Sequence, residues 1–208
     1  MRKVLLCTLT FLLSISISDA QWGRVSEFDS KGFTSICSSG TNIFVGSDSG
    51  VYVSTNSGKS WSHSAYDFEN EGITKVYFYE PDNSLYATST KGVYVSTDNG
   101  TNWSKISTKP TEDILKYNQS IYTCYYANFM FYSSNNGNTW TSMNYVLSKP
   151  MSMAILGDTV YCSTMSQGLL KSKVDENKWT AINPSDNCKS GDFFSDSENL
   201  YLFNSSKG

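Results

Sequence analysis

Few side chains in this 208-residue sequence are of the kinds that carry out covalent chemistry, and their spacing restricts them further. His63 is the only histidine and no G-x-S-x-G elbow accompanies it, so a Ser-His-Asp triad has little support. No Cys-x-x-Cys occurs either, and one histidine cannot complete a Cys/His zinc set. A phosphate-binding glycine loop, an EF-hand loop and a dinucleotide fingerprint are all missing, so neither cofactor nor metal is expected. Carboxylates remain. Asp67, Glu69, Glu71, Asp113, Asp158 and Asp192 are expected in loops, and two carboxyl groups at a suitable separation can cleave a neutral glycosidic bond. A clamp for an anionic substrate is another matter. Beyond the first 20 residues the chain has one arginine, Arg24, and lysine does not reproduce bidentate guanidinium geometry.

These residues must be positioned by a chain that is 39% hydrophobic and 17% charged, neither disordered nor membrane-embedded in composition. Its 14% aromatic content, with 14 tyrosines, leans towards β structure. The formal charge is −3, and loss of Arg2, Lys3 and Asp19 would make it one unit more negative. Nucleic acid and anionic membrane are therefore poor partners.

Residues 1–20 read as a signal peptide. Met1-Arg2-Lys3 is a basic head, residues 4–18 form an apolar run, and Ser18-Asp19-Ala20 offers small residues for cleavage. The run is too short to span a bilayer comfortably, and no stop-transfer charges follow it. The expectation is export to a periplasmic or extracellular space, with no membrane insertion after cleavage. Cys37, Cys124, Cys162 and Cys188 then remain, compatible with two disulfides in any of three pairings or with buried free thiols. A Cys124–Cys162 bond is disfavoured, because equivalent strands of adjacent repeats approach closely only near a central axis.

The organising feature is a repeat of about forty residues. Trp22, Trp61, Trp103, Trp140 and Trp179 are spaced 39, 42, 37 and 39 apart. Ile43-Phe44, Leu85-Tyr86, Ile121-Tyr122, Val160-Tyr161 and Leu200-Tyr201 keep the same beat, at 42, 36, 39 and 40. The tryptophan segments read STNSGKSW (54–61), STDNGTNW (96–103), SSNNGNTW (133–140) and SKVDENKW (172–179), and the first two follow an identical GVYV. In GVYV, Val51 and Val53 share one strand face opposite Tyr52. An Asn or Asp then bonds main-chain N–H groups ahead of it, a glycine supplies positive φ, and the tryptophan covers the turn.

This pattern resembles the Asp-box, or bacterial neuraminidase repeat, over essentially all of residues 21–208. On that resemblance the structural positions are Ser54, Asn56, Gly58 and Trp61; Ser96, Asp98, Gly100 and Trp103; Ser133, Asn135, Gly137 and Trp140; and Ser172 and Trp179. Only Asp98 carries the family's acid, and Val174 and Glu176 replace both acid and glycine in the last box.

Each repeat holds about four strand signals, at 33–37, 42–46, 50–55 and 61–64 in the first and at 73–79, 84–88, 92–97 and 103–107 in the second. Four strands per forty residues without helical periodicity predict an all-β protein, a β-propeller of four-stranded blades. The expected blades are 32–71, 72–113, 114–150, 151–187 and an incomplete 188–208, with 21–26 as a closing outer strand. NLYLFNSSKG (199–208) parallels NIFVGSDSG (42–50), so the last blade is expected to lack its outer half and the chain to be part of a longer propeller of about six to eight blades.

Specificity is expected in the unlike connectors: 66–71 is acidic and aromatic, 108–113 contains Lys109-Pro110, and 144–150 contains Tyr145 and Lys149. The resemblance implies two functions. One is a non-catalytic binding or scaffold propeller taking a protein or glycan, as in sortilin-type receptors and photosystem assembly factors. The alternative is a glycoside hydrolase acting on a neutral polysaccharide; a sialidase would need three arginines. The residues favour the first.

Overall fold

The computed structural model describes residues 25, 28, 32–125, 129–143, 148–176, 178–182, 193–195 and 198–202. The leader, Trp22, Arg24, Tyr145, Cys188 and Asp192 lie outside these residues.

Eighteen strands are described. Phe33–Ser39 (β1), Asn42–Ser47 (β2), Gly50–Ser54 (β3) and Ser62–His63 (β4) form the first sheet. Ile73–Tyr79 (β5), Ser84–Ser89 (β6), Gly92–Ser96 (β7) and Ser104–Ser107 (β8) form the second. Asp113–Tyr117 (β9), Ser120–Tyr125 (β10), Phe129–Ser133 (β11) and Thr141–Met143 (β12) form the third. Pro150–Leu156 (β13), Thr159–Thr164 (β14), Gly168–Lys173 (β15) and Thr180–Ala181 (β16) form the fourth. Phe193–Ser195 (β17) and Leu200–Leu202 (β18) pair as a fifth.

Within every sheet the strands run in sequence order and antiparallel. The first strands β1, β5, β9, β13 and β17 are neighbours in turn, each against the next. Meanders set side by side with their first strands innermost are the blades of a β-propeller. Trp61, Trp103, Trp140 and Trp179 each immediately precede an outermost strand, so these strands begin one residue later than expected.

The core lies between blades. Phe44, Val51, Val53, Val76, Leu85, Tyr94 and Trp103 fill the space between the first and second; Tyr122, Cys124, Met130, Met153, Cys162 and Trp179 fill that between the third and fourth. The alternation in GVYV is what delivers this, since Val51 and Val53 are buried while Tyr52 is half-exposed. Cys37, Cys124 and Cys162 are free thiols. Burial pushes the Cys37 thiol up to about 12 and raises Cys124 and Cys162 as well, so all three behave as small apolar groups.

Candidate functional site

The antiparallel meander puts the turns on two faces. First-to-second and third-to-fourth turns share one face; second-to-third turns and the connectors between blades share the other. The first face carries the Ser-x-Asx-x-Gly turns. In the second blade Ser96 Oγ accepts the Gly100 N–H at 2.9 Å and donates to Asp98 Oδ1 at 2.8 Å. Asp98 Oδ1 also accepts the Asn102 N–H at 2.8 Å, and Oδ2 accepts from Asn102 Nδ2 at 2.7 Å. The main-chain N–H of Asn102 is the largest of the contacts that hold the Asp98 carboxyl below its ordinary value. Ser54 and Asn56 repeat the arrangement with Gly58 and Ser60, and Ser133 and Asn135 with Gly137 and Thr139. An amide oxygen thus does the work of the acid in two turns of three.

The tryptophans join these turns to the blade before. Trp103 Nε1 donates to Gly100 O at 3.0 Å and to Ser64 Oγ of the first blade at 3.1 Å. Trp140 Nε1 donates to Gly137 O and to Ile106 O of the second blade, both at 2.9 Å. Trp103 and Trp179 are buried, whereas Trp61 and Trp140 are half-buried. In the fourth blade, without acid or glycine, Ser172 Oγ accepts the Lys178 N–H at 3.0 Å, and Asp175 takes over the inter-blade contact. Its carboxylate accepts from Ser120 at 2.6 Å and from the Tyr132 hydroxyl.

A second polar series runs along the first strands, which bear no periodic residue type. Ser35, Lys75, Asp113 and Ser152 occupy the same register, opposite Gly46, Thr88, Cys124 and Ser163. Ser35 Oγ accepts the Val76 N–H of the next blade at 2.7 Å, Asp113 Oδ2 that of Met153 at 2.8 Å, and Ser152 Oγ that of Phe193 at 3.2 Å. Lys75 has no acceptor to offer, so the matching Ile114 N–H bonds to Asp113 Oδ1 at 2.9 Å, and Lys75 Nζ pairs with that oxygen at 3.0 Å. Asp113 is therefore a buried strand residue joining three blades, not a loop acid.

The connector face holds a polar cleft. About 400 Å³ in volume, it is lined by Asp48 and Ser49 from the β2–β3 turn, His63 and Ser64 at the end of the blade, and Tyr66, Asp67, Asn70 and Glu71 of the connector. Phe68, Glu69 and Asn70 have φ of 45°, 60° and 59°, three successive left-handed residues. Phe68 pins this backbone by burying its ring edge-on against Tyr66, Tyr94 and Trp103. His63 Nε2 lies 2.8 Å from Ser49 O, so that nitrogen carries a proton and donates. Asp48 was not among the expected acids; only the fold brings the β2–β3 turn to the connector.

Each described acid expected from the sequence is engaged by a partner. Glu71 accepts from Thr90 Oγ1 at 2.6 Å and lies 3.6 Å from Lys91 Nζ. The Thr90 hydroxyl is the main influence holding its pKa below the ordinary range, the wrong direction for a general acid. Glu69 pairs with Lys105 at 2.6 Å, and Asp67 accepts the Asn70 N–H at 3.1 Å. Asp158 pairs with Lys173 at 2.9 Å on the opposite face. No group of three or more His, Cys, Asp or Glu side chains suited to a metal ion occurs among the described residues.

No family model matches the sequence, and no curated protein matches it. Solved structures do match. Over 88% of this chain and 64% of the other, it is similar to YCF48 bound to D1 peptide, with a TM-score of 0.65 at 14% identity. It is similar to the extracellular domain of a one component system from B. thetaiotaomicron (83% and 26% covered, TM-score 0.65, 16% identity). It is also similar to an ancestral GH74 enzyme (75% and 24% covered, TM-score 0.63, 18% identity). The chain thus spans about a quarter of the GH74 enzyme and under two thirds of YCF48. At these identities the likeness establishes the fold, a β-propeller.

Proposed function

We propose that this is an exported, non-catalytic propeller of the Asp-box kind that takes a protein or glycan ligand on its connector face. The observation that carries this reading is the state of the acids: each described candidate is tied to a partner, and they are divided between two faces and the buried axis. A hydrolase needs two carboxyl groups free to face one bond. Variation between repeats is concentrated in the connectors, while the opposite face repeats its hydrogen bonds from blade to blade, as expected where loops carry specificity on a constant scaffold. Asp48, Asp67 and Glu71 line the cleft without a lysine or arginine among them, which disfavours phosphate ligands and suits donors such as sugar hydroxyls or cationic side chains. The Ser-Asx-Gly-Trp turns support the Asp-box assignment, and the basic-then-apolar leader supports export.

The test is binding of the secreted chain to glycan and peptide arrays, beside assays for hydrolysis of neutral polysaccharides and sialosides. A signal lost in Asp67→Asn/Glu71→Gln and kept in Asp158→Asn is the expected result. Turnover of any of these substrates would overturn the reading, as would binding that depends on Asp158 instead.

A further inference from the structure

We propose that the space over Trp140, between the second and third blades, is a socket for a partner protein's aromatic side chain that is followed by an aspartate or glutamate. The site is a different cavity from the acidic cleft and goes beyond the ligand-binding reading, since it stands whether or not that cleft is occupied. Two equivalent blade junctions differ here. Strand pairing puts Tyr94 and Phe131 at one position, opposite Ala87 and Thr123. Trp103 and Trp140 share another, each just before an outermost strand. At the first junction Phe68 of the connector caps both rings, its centroid 5.2 Å from Tyr94 and 5.2 Å from Trp103. Tyr94 and Trp103 are accordingly 0% and 7% exposed.

The next connector is too short to do the same. Lys75 follows Ser64 by 11 positions, whereas Asp113 follows Ser107 by 6, and no counterpart of Phe68 stands between them. Phe131 and Trp140 are left half-buried. Over Trp140 lies a cavity of about 330 Å³, walled by Lys105, Ile106, Ser107, Thr108 and Lys109. The indole is fixed in place, because Nε1 donates to Gly137 O and Ile106 O, both at 2.9 Å. The socket therefore has a rigid aromatic wall before anything enters it.

What fits there is shown by what the fold seats at the first junction. The Phe68 ring meets Tyr94 at 85° and Trp103 at 69°, the edge-to-face geometry that aromatic pairs favour. Glu69, the next residue, pairs with Lys105 at 2.6 Å, and Lys105 Nζ stands 5.6 Å from the Tyr94 ring centroid. A ring and the carboxylate that follows it thus complete that junction. At the second junction the receiving half recurs: Lys109 Nζ stands 5.6 Å from the Phe131 ring centroid, and Lys109 also walls the cavity over Trp140. Only the ring and the carboxylate are missing from the chain. A partner segment with an aromatic residue followed by an acid supplies both, the ring as a buried anchor and the acid as a charge match to Lys109.

The experiment follows the tryptophan indole N–H signals of the full chain by NMR during titration with acetyl-Phe-Glu-amide, acetyl-Phe-Lys-amide and acetyl-Ala-Glu-amide. The first peptide should shift the Trp140 signal saturably and leave Trp103, already capped by Phe68, unmoved. Affinity should fall about threefold for the lysine peptide and at least about tenfold for the alanine peptide. Thr108 and Lys109 are exposed, so Lys109→Glu and Thr108→Trp should keep the thermal melt, which separates lost binding from lost folding. Lys109→Glu should reverse the preference between the two phenylalanine peptides, and Thr108→Trp should abolish the shift by filling the socket. Asp67→Asn/Glu71→Gln should leave the shift unchanged, which keeps this site distinct from the cleft. No saturable shift at Trp140 overturns the proposal, as does an equal response at Trp103. Equal affinity for the alanine peptide, or a charge preference that survives Lys109→Glu, overturns it too.

Discussion

The two faces of the propeller are closed by the same strands and hold their loops by opposite means. On the face of the Ser-x-Asx-x-Gly turns, one hydroxyl and one Asx oxygen gather the main-chain donors, and the geometry recurs: Gly58, Gly100 and Gly137 N–H groups meet serine oxygens at 2.9, 2.9 and 2.8 Å. On the connector face, residues 66–71 have no counterpart in the other repeats. Three successive non-glycine residues there are left-handed, and they are held by burial of Phe68 rather than by local hydrogen bonds alone. A loop satisfied by its own side chains is a module that can be copied. A loop held by packing on a particular neighbour is free to differ from blade to blade, and that freedom is what specificity requires.

The strongest way to break the copied face is to remove a tryptophan. Trp103→Ala should cost about 4 kcal/mol in chemical or thermal unfolding, since it deletes a buried ring and two indole hydrogen bonds. Trp140→Ala, in the same place on the next blade but half-buried, should cost about 2 kcal/mol. Equal losses would show that burial does not distinguish the two blades.

Next in size is the axis that joins both faces. Asp113→Ala leaves the Met153 and Ile114 N–H groups without their buried acceptor and should cost about 3 kcal/mol. Asp113→Ser should recover roughly half of that, because serine serves the same register in the first and fourth blades. Failure of serine to rescue would mean that the Lys75 pairing, not the inter-blade hydrogen bond, is what Asp113 supplies.

The copied face can also be sharpened by pH. Among its three Ser-x-Asx-x-Gly turns one has an acid at the Asx position: Asp98 stands where Asn56 and Asn135 stand. Its folded pKa lies below the ordinary 3.8, so its contribution is complete above that value and is lost as pH falls through the folded pKa. The melting difference between the wild type and Asp98→Asn should therefore be constant near neutrality and shrink below about pH 4. A difference that keeps its size in acid would remove Asp98 as the titrating group.

The copied face was legible in the sequence because its chemistry is local. Serine, Asx, glycine and tryptophan sit within eight residues, and their forty-residue recurrence marks both the turn and the blade. The strand bounds of the first two blades came within about two residues for the same reason. The axial series was invisible, although just as regular in space. Ser35, Lys75, Asp113 and Ser152 are not of one residue type, and what unites Ser35, Asp113 and Ser152 is an N–H group of a different blade. Asp113 accordingly read as a loop acid. The cleft was half legible: Asp67 and Glu71 lie in one connector, but Asp48 joins them only through the pairing of β2 with β3.

The smallest effect concerns backbone strain, and it sets the faces against each other most directly. Glu69→Gly removes the cost of holding a non-glycine residue at φ 60°, about 1 kcal/mol, and also removes the exposed pair with Lys105, worth about 0 to 1 kcal/mol. The two offset, so stability should stay within about 0.5 kcal/mol of wild type. Gly100→Ala is the mirror experiment. There φ is 84°, and an added Cβ would lie 3.1 Å from Val53 Cγ2 of the neighbouring blade, so strain and crowding add and should cost about 2 kcal/mol. If denaturant melts give that asymmetry, glycine is obligatory on the copied face while the connector tolerates its strained residues because Phe68 holds them. If Glu69→Gly costs as much as Gly100→Ala, the connector depends on its ion pair instead, and the contrast between the two faces fails at its most testable point.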